Sequence, residues 1–231
     1  MGDRPAVLVI ACGALAHEIV AVQRANNWPH MVVSCLPADL HNRPEKIPAA
    51  VRDKIAANRG RFASIFVAYA DCGTGGQLDA VLAHEGIERI AGAHCYEFFA
   101  GAQVFADLSD AAPGTFYLTD FLLTHFDRLI LRGLGIDRHP ELMPLYFGNY
   151  TRLVYLAQRE QPGMVEAGRR AAERLGLVYE HRVTGYGGLQ TGLQRASERP
   201  QPWLRQAPRG AARELGSGPA FSHEGVVFWQ D

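Results

Sequence analysis

Short apolar runs separated by segments of helical periodicity constrain this chain more than any other feature. Ala6–Ala11 (AVLVIA), Met31–Ser34 (MVVS), Ser64–Tyr69 (SIFVAY) and Thr115–Leu118 (TFYL) are rich in β-branched or aromatic side chains. Arg152–Ala157 (RLVYLA) and Leu177–Tyr179 (LVY) follow the same pattern, and Arg89–Ala93 (RIAGA) is a weaker member. Runs too short for a helix, bounded by Gly, Pro or Asp, predict strands buried on both faces, as in a parallel sheet.

The intervening segments read as helices. Ile47, Val51 and Ile55 recur every four residues and mark one face of a helix over Ile47–Asn58. A second, Phe121–Leu134, follows a capping Thr119-Asp120 pair, and a third, Met164–Leu175, stops at Gly176. Strand and helix in alternation predict an α/β fold: three layers, with a mostly parallel sheet of six or seven strands and helices on both faces. One such domain is expected over residues 1–196. From 197 to 231 the composition shifts to Arg, Pro, Gly and Ser, which predicts an irregular C-terminal tail whose apolar end, Gly225–Trp229, can fold back or meet a partner.

Composition narrows the function classes. Lys plus Arg is 23 and Asp plus Glu 24, a net charge of −1, so the chain as a whole carries no electrostatic footprint for nucleic acid. No apolar run has the length of a membrane span, and a strand begins within the first few residues, where a signal peptide would need a different pattern. A cytoplasmic protein is expected. In a reducing compartment its four cysteines are better read as core residues, ligands or nucleophiles than as disulfides.

Those cysteines fall in a pattern. Cys12, Cys35, Cys72 and Cys95 each come at or just past the carboxyl end of an expected strand. In open parallel sheets those ends share one edge, and ligands bind in the crevice outside it. His94 and Glu97 flank Cys95, His41 and Glu45 lie in the loop after the second strand, Asp71 precedes Cys72, and Asp120 closes YLTD. Thiolates with imidazole or carboxylate make a soft-to-borderline metal site. Cys12, Cys72 and Cys95 are the expected ligands of a zinc ion, with a [4Fe–4S] cluster as the alternative. His94 or Glu97 would complete the set or act as general base, and Asp120 and His41 would be substrate contacts or outer partners of the ligands. The bland alternative is that each thiol simply fills core, since free cysteine is among the most buried residue types. Cys35 has the least metal-like surroundings.

Glycines add a second expectation. Gly13 follows Cys12, and Gly73, Thr74, Gly75 and Gly76 open the helix expected at Gln77–Ala83. Backbone N–H groups of such a loop can cradle the phosphate or carboxylate of a small-molecule substrate. The loop lacks the lysine of a P-loop, and its glycine spacing is not that of a dinucleotide fingerprint.

The stretches LPADLHNRPEKI, FVAYADCGTGG, AGAHCYEFFAG, FYLTDFLLTHFDRL, HPEL and YFGNYTRLVYL together resemble a prokaryotic family, the domain of unknown function numbered 1638. The likeness is firmest from about Cys35 to Gln158 and extends more weakly from Ile10 to Leu189. It implies no reaction. It does imply genomic company, beside corrinoid-dependent methyltransferases and their activating proteins. The expectation is therefore a metal-binding protein of one-carbon metabolism that acts on a small molecule and meets a corrinoid protein or methyltransferase. The alternatives are a non-catalytic accessory to such a carrier, and a metal-free thiol enzyme with Cys72 or Cys95 as nucleophile and His94 as base.

Overall fold

The computed structural model describes residues 6–198 and 226–227. Its strands are β1 (Val7–Cys12), β2 (Met31–Leu36), β3 (Ser64–Ala68), β4 (Thr115–Leu118), β5 (Arg152–Ala157), β6 (Val178–Val183) and β7 (Val226–Val227). Its α-helices are α1 (Ala16–Ala25), α2 (Ile47–Asn58), α3 (Gln77–Glu85), α4 (Cys95–Ala100), α5 (Ala102–Ala111), α6 (Asp120–Thr124), α7 (Met143–Phe147), α8 (Met164–Leu175) and α9 (Gly187–Glu198). Strand–helix alternation and wholly parallel pairing make this an α/β protein.

The strands form two sheets rather than one of six or seven. The first has the order β3-β1-β2-β7 and the second the order β4-β5-β6. The weak run Arg89–Ala93 is where continuity fails. It makes one isolated bridge, Val67 to Arg89, and then runs on beside the loop after β3, the Asp71 N–H donating to the Gly92 carbonyl at 3.0 Å and the Cys72 N–H to the Ala93 carbonyl at 2.8 Å. Gly92 takes a φ of 118° there, which glycine tolerates, and the segment forms no strand of its own.

Each sheet has its own core. Every residue of β1 is buried, and the strand lies in a cluster with residues of α1, α2 and α3. Leu189 and Leu193 of α9 belong to the same cluster, so the last described helix returns to the first sheet. In the second sheet β5 alternates with period two: Leu153, Tyr155 and Ala157 face α6 and α8, while Val154 and Leu156 pack with Leu108 of α5. Helices thus cover both faces of that sheet.

Helix α8 occupies the expected residues and stops where Gly176 adopts a φ of 70°. Thr119 caps α6, its hydroxyl accepting from the Leu122 N–H at 3.4 Å. The helix expected through Leu134 is broken, however. α6 ends at Thr124, and Asp127–Arg132 winds as a π-helix. There the Asn42 side-chain amide donates to the Leu129 carbonyl at 3.2 Å, so the loop after β2 satisfies a group of the altered backbone. The tail expected from residue 197 onward lies outside the described residues, apart from the end of α9 and β7, which pairs with Val33 and Ser34 of β2.

Candidate functional site

The carboxyl ends of β1, β3 and β4 meet at one small cavity. Its wall includes Cys12, Tyr69, Cys72, Cys95, His41 and Thr119. Its volume of about 20 Å³ suits one water or one ion. The three thiols singled out from the sequence are therefore brought together from β1, the loop after β3 and the first turn of α4. Cys35 is buried in β2 and does not line the cavity; it is packing.

Local chemistry positions each sulfur. Cys12 is the last residue of β1, and Gly13 follows because a Cβ there would stand 2.9 Å from the Leu36 carbonyl oxygen and 3.3 Å from the Ala38 nitrogen. Gly13 thus serves the close approach of the β1 and β2 ends rather than a ligand. Cys72 adopts a φ of 52°, one of two non-glycine residues in the left-handed region among those described. Its N–H donates to the Ala93 carbonyl at 2.8 Å, which holds the strained residue in place. Cys95 opens α4, where the N–H groups of its own residue and of Tyr96 face the sulfur.

Burial pushes all three thiols upward, Cys72 to about 12 and Cys12 and Cys95 in the same direction, and each is raised further by neighbouring sulfur except Cys12, whose other contacts lower it. Free of a cation they are protonated thiols at neutral pH. Burial holds His41 below the usual histidine range, with His94 adding to the effect, so its imidazole is neutral and able to bind a cation. The Tyr69 hydroxyl is buried beside Cys12, whose pKa it helps to hold down. Among the described residues, no group of three His, Cys, Asp or Glu side chains is arranged to hold a metal ion.

The remaining expected residues separate. His94 is exposed, precedes α4 as its cap and packs against Tyr96 with ring centroids 6.0 Å apart. Glu97 turns back to accept from the Ala93 N–H at 2.7 Å, closing the first turn of its own helix. Glu45 is exposed. The glycine loop closes on itself: the Asp71 carboxylate accepts from the Thr74 hydroxyl at 2.6 Å, the Gly75 N–H at 3.0 Å and the Gly76 N–H at 2.9 Å. The cradle expected to hold a substrate anion already holds a carboxylate of its own loop, and Gly73 adds only a left-handed turn.

Asp120 is buried and saturated. It accepts from the Tyr155 hydroxyl at 2.7 Å, the Gln158 N–H at 3.1 Å, the Arg159 N–H at 3.2 Å and the Gln161 amide at 3.1 Å. With its lone pairs engaged it clamps the start of α6 to the end of β5. A buried carboxylate that sequence reasoning passed over lies in its field: Glu18 on α1, pushed up to about 7 by burial, with Oε2 unpartnered. The signal was positional. Leu15, Glu18, Ile19 and Val22 form one helical stripe, so Glu18 sits on the apolar face.

Among the described residues no helix is long and apolar enough to cross a membrane. Comparison with curated proteins and with solved structures finds no match in either. The family profile described as Protein of unknown function (DUF1638) matches residues 35–193, and its span includes Cys72, Cys95 and His41 while leaving Cys12 outside. With well over half of the chain inside that match, the protein belongs to the DUF1638 family.

Proposed function

We propose that this protein binds a soft metal ion, zinc in the first instance, through Cys12, Cys72 and Cys95. The observation that carries the reading is the convergence of three thiols from separate segments on a cavity of one ion's size, beside a neutral imidazole. The donor set fits zinc, which takes thiolate and imidazole in tetrahedral sites. The cavity suits a single ion better than a four-iron cluster. His41 replaces His94 and Glu97 as the expected fourth donor, because it lines the cavity and they do not.

Binding has two requirements. The half-buried Cys72 and Cys95 must adjust their side chains to close on the ion, and each thiol must lose its proton. Cation and protons therefore exchange for one another. When bound, the ion supplies Lewis acidity toward a substrate thiol or water. The setting in corrinoid-linked one-carbon metabolism, with a corrinoid protein or methyltransferase as partner, rests on the company the family keeps. The metal-free thiol-enzyme reading is disfavoured because burial keeps the thiols protonated and His94 stands outside the cavity.

Titration of reduced, metal-free protein with zinc in weakly buffered solution tests this. The expected result is one zinc bound with close to three protons released, and loss of that stoichiometry in Cys95→Ala. Absence of stoichiometric zinc in the reduced protein, or its retention by Cys95→Ala, overturns the three-thiol site.

A further inference from the structure

A second concavity lies away from the cysteines, between the π-helix and α8. It has a volume of about 470 Å³, within the range of small-ligand sites. Sequence dictates its shape. On α8, Ala167, Arg170, Ala171 and Arg174 fall at i, i+3, i+4 and i+7, one stripe of the helix. The two alanines are short enough to hollow the wall, and the two arginines stand beside them. Opposite, Arg128 and Arg132 project from the π-helix, and Phe126 contributes apolar surface.

The charges are lopsided. Four arginines line the cavity against one carboxylate, Asp127. Arg174 is held by Asp127 at 2.5 Å and lies over the Phe126 ring, 5.5 Å from its centroid. Arg128 reaches out to Asp39 at 3.1 Å, a solvent-exposed pair. Arg170 has only Glu166 at 4.0 Å, and Arg169 competes for the same carboxylate. Arg132 forms no ion pair among the described residues. Like charges four residues apart on one helix disfavour it, and this arrangement repeats the pattern on both walls. His125, which also lines the cavity, is held below the usual histidine range by burial first, with Arg128 and His17 adding to it.

We propose that this groove binds a small organic molecule carrying two or more phosphates. Arg132, with no ion pair among the described residues, and Arg170, with only a long one to Glu166, supply the charge, each guanidinium being able to grip a phosphate with two parallel hydrogen bonds. The alanine-lined hollow admits the organic part. A basic patch confined to one groove, on a chain of net charge −1, favours a small ligand over a nucleic-acid strand, which needs a continuous basic track.

Calorimetric titration of the full chain with pyrophosphate, at 150 mM salt, is the test. The expected result is saturable binding of one pyrophosphate, weakened roughly tenfold by Arg132→Gln and again by Arg170→Gln, since a charge-assisted hydrogen bond is lost in each. Ala167→Leu fills the hollow while keeping every arginine, and adenosine triphosphate should then bind at least tenfold more weakly than to the parent. Arg52→Gln, an exposed change on α2 outside the groove, should alter neither titration. Melting curves establish that each variant is folded. The proposal is overturned if pyrophosphate fails to saturate, if the arginine variants bind it as the parent does, or if Ala167→Leu leaves triphosphate binding unchanged. It is equally overturned if a ten-residue deoxythymidine strand binds more tightly than adenosine triphosphate through the same arginines.

Discussion

Replacing Glu18 by glutamine should change how stability depends on pH. Glu18 is buried on the apolar stripe of α1, one of its oxygens has no partner, and burial moves it from a glutamate's ordinary 4.5 up to about 7. The nearby Asp120 charge raises it further, and Arg159 partly opposes that. In the unfolded chain the proton leaves near 4.5; in the folded protein it stays until about 7. Between these values the native state holds the extra proton, so stability falls as pH rises through the window. The loss is absent below the unfolded value and complete above the folded one. At 1.36 kcal/mol for each tenfold change in proton affinity, the whole effect is about 3 kcal/mol. Glu18→Gln keeps the shape and removes the titration. Urea unfolding at pH 3.5, 5, 6, 7 and 8, with chelator present, should show the variant nearly matching the parent at pH 3.5, exceeding it by about 1 kcal/mol at pH 5 and by up to about 3 kcal/mol at pH 8. Parallel profiles for the two proteins would refute the assignment of an isolated, buried, proton-holding carboxylate.

Other expectations follow from single contacts. Asp71→Ala frees three donors of the loop before α3 and should cost about 1–2 kcal/mol in unfolding free energy, with faster amide exchange at Gly75 and Gly76. Gly13→Ala drives a Cβ against the Leu36 carbonyl, and a melting temperature several degrees lower should result. Cys35→Ala leaves the cavity wall intact, so zinc stoichiometry should match the parent while stability drops by roughly 1 kcal/mol. His41→Ala should retain the fold but weaken zinc in a chelator competition; an unchanged affinity would remove His41 from the proposed donor set.

The strands were legible because burial on both faces writes itself as an uninterrupted apolar run. β1, β4 and β5 fall within a residue of the expected bounds. β6 was read too short for the opposite reason. Val178–Val183 is exposed at both ends and interleaves Glu180, His181 and Arg182, so it has no apolar run to find. The division into two sheets was not legible at all. An apolar run reports that a strand is covered, not which strand lies beside it, and one weak segment decided the outcome. Arg89–Ala93 bonds to Val67, Asp71 and Cys72 without forming a strand, so β3 gains no further strand neighbour.

The site divides along the same line. Convergence of Cys12, Cys72 and Cys95 was legible because position at the end of a parallel strand is a statement about space. The split into two sheets leaves that convergence in place, since the cavity draws its wall from the carboxyl ends of both: Thr119 follows β4 as Cys12 ends β1. What sequence position cannot convey is where a side chain turns once it arrives. Glu97 and Asp71 sit at the right edge and yet turn to backbone N–H groups four or five residues away, because a carboxylate beside an open helix start satisfies donors that would otherwise go unpaired. Cysteine is a weak acceptor and makes a poor cap, so the thiols are left to face the cavity. The carboxylates that looked most like ligands are therefore consumed by local structure, and His41, from the short 3₁₀ turn Ala38–Asn42, lines the cavity instead.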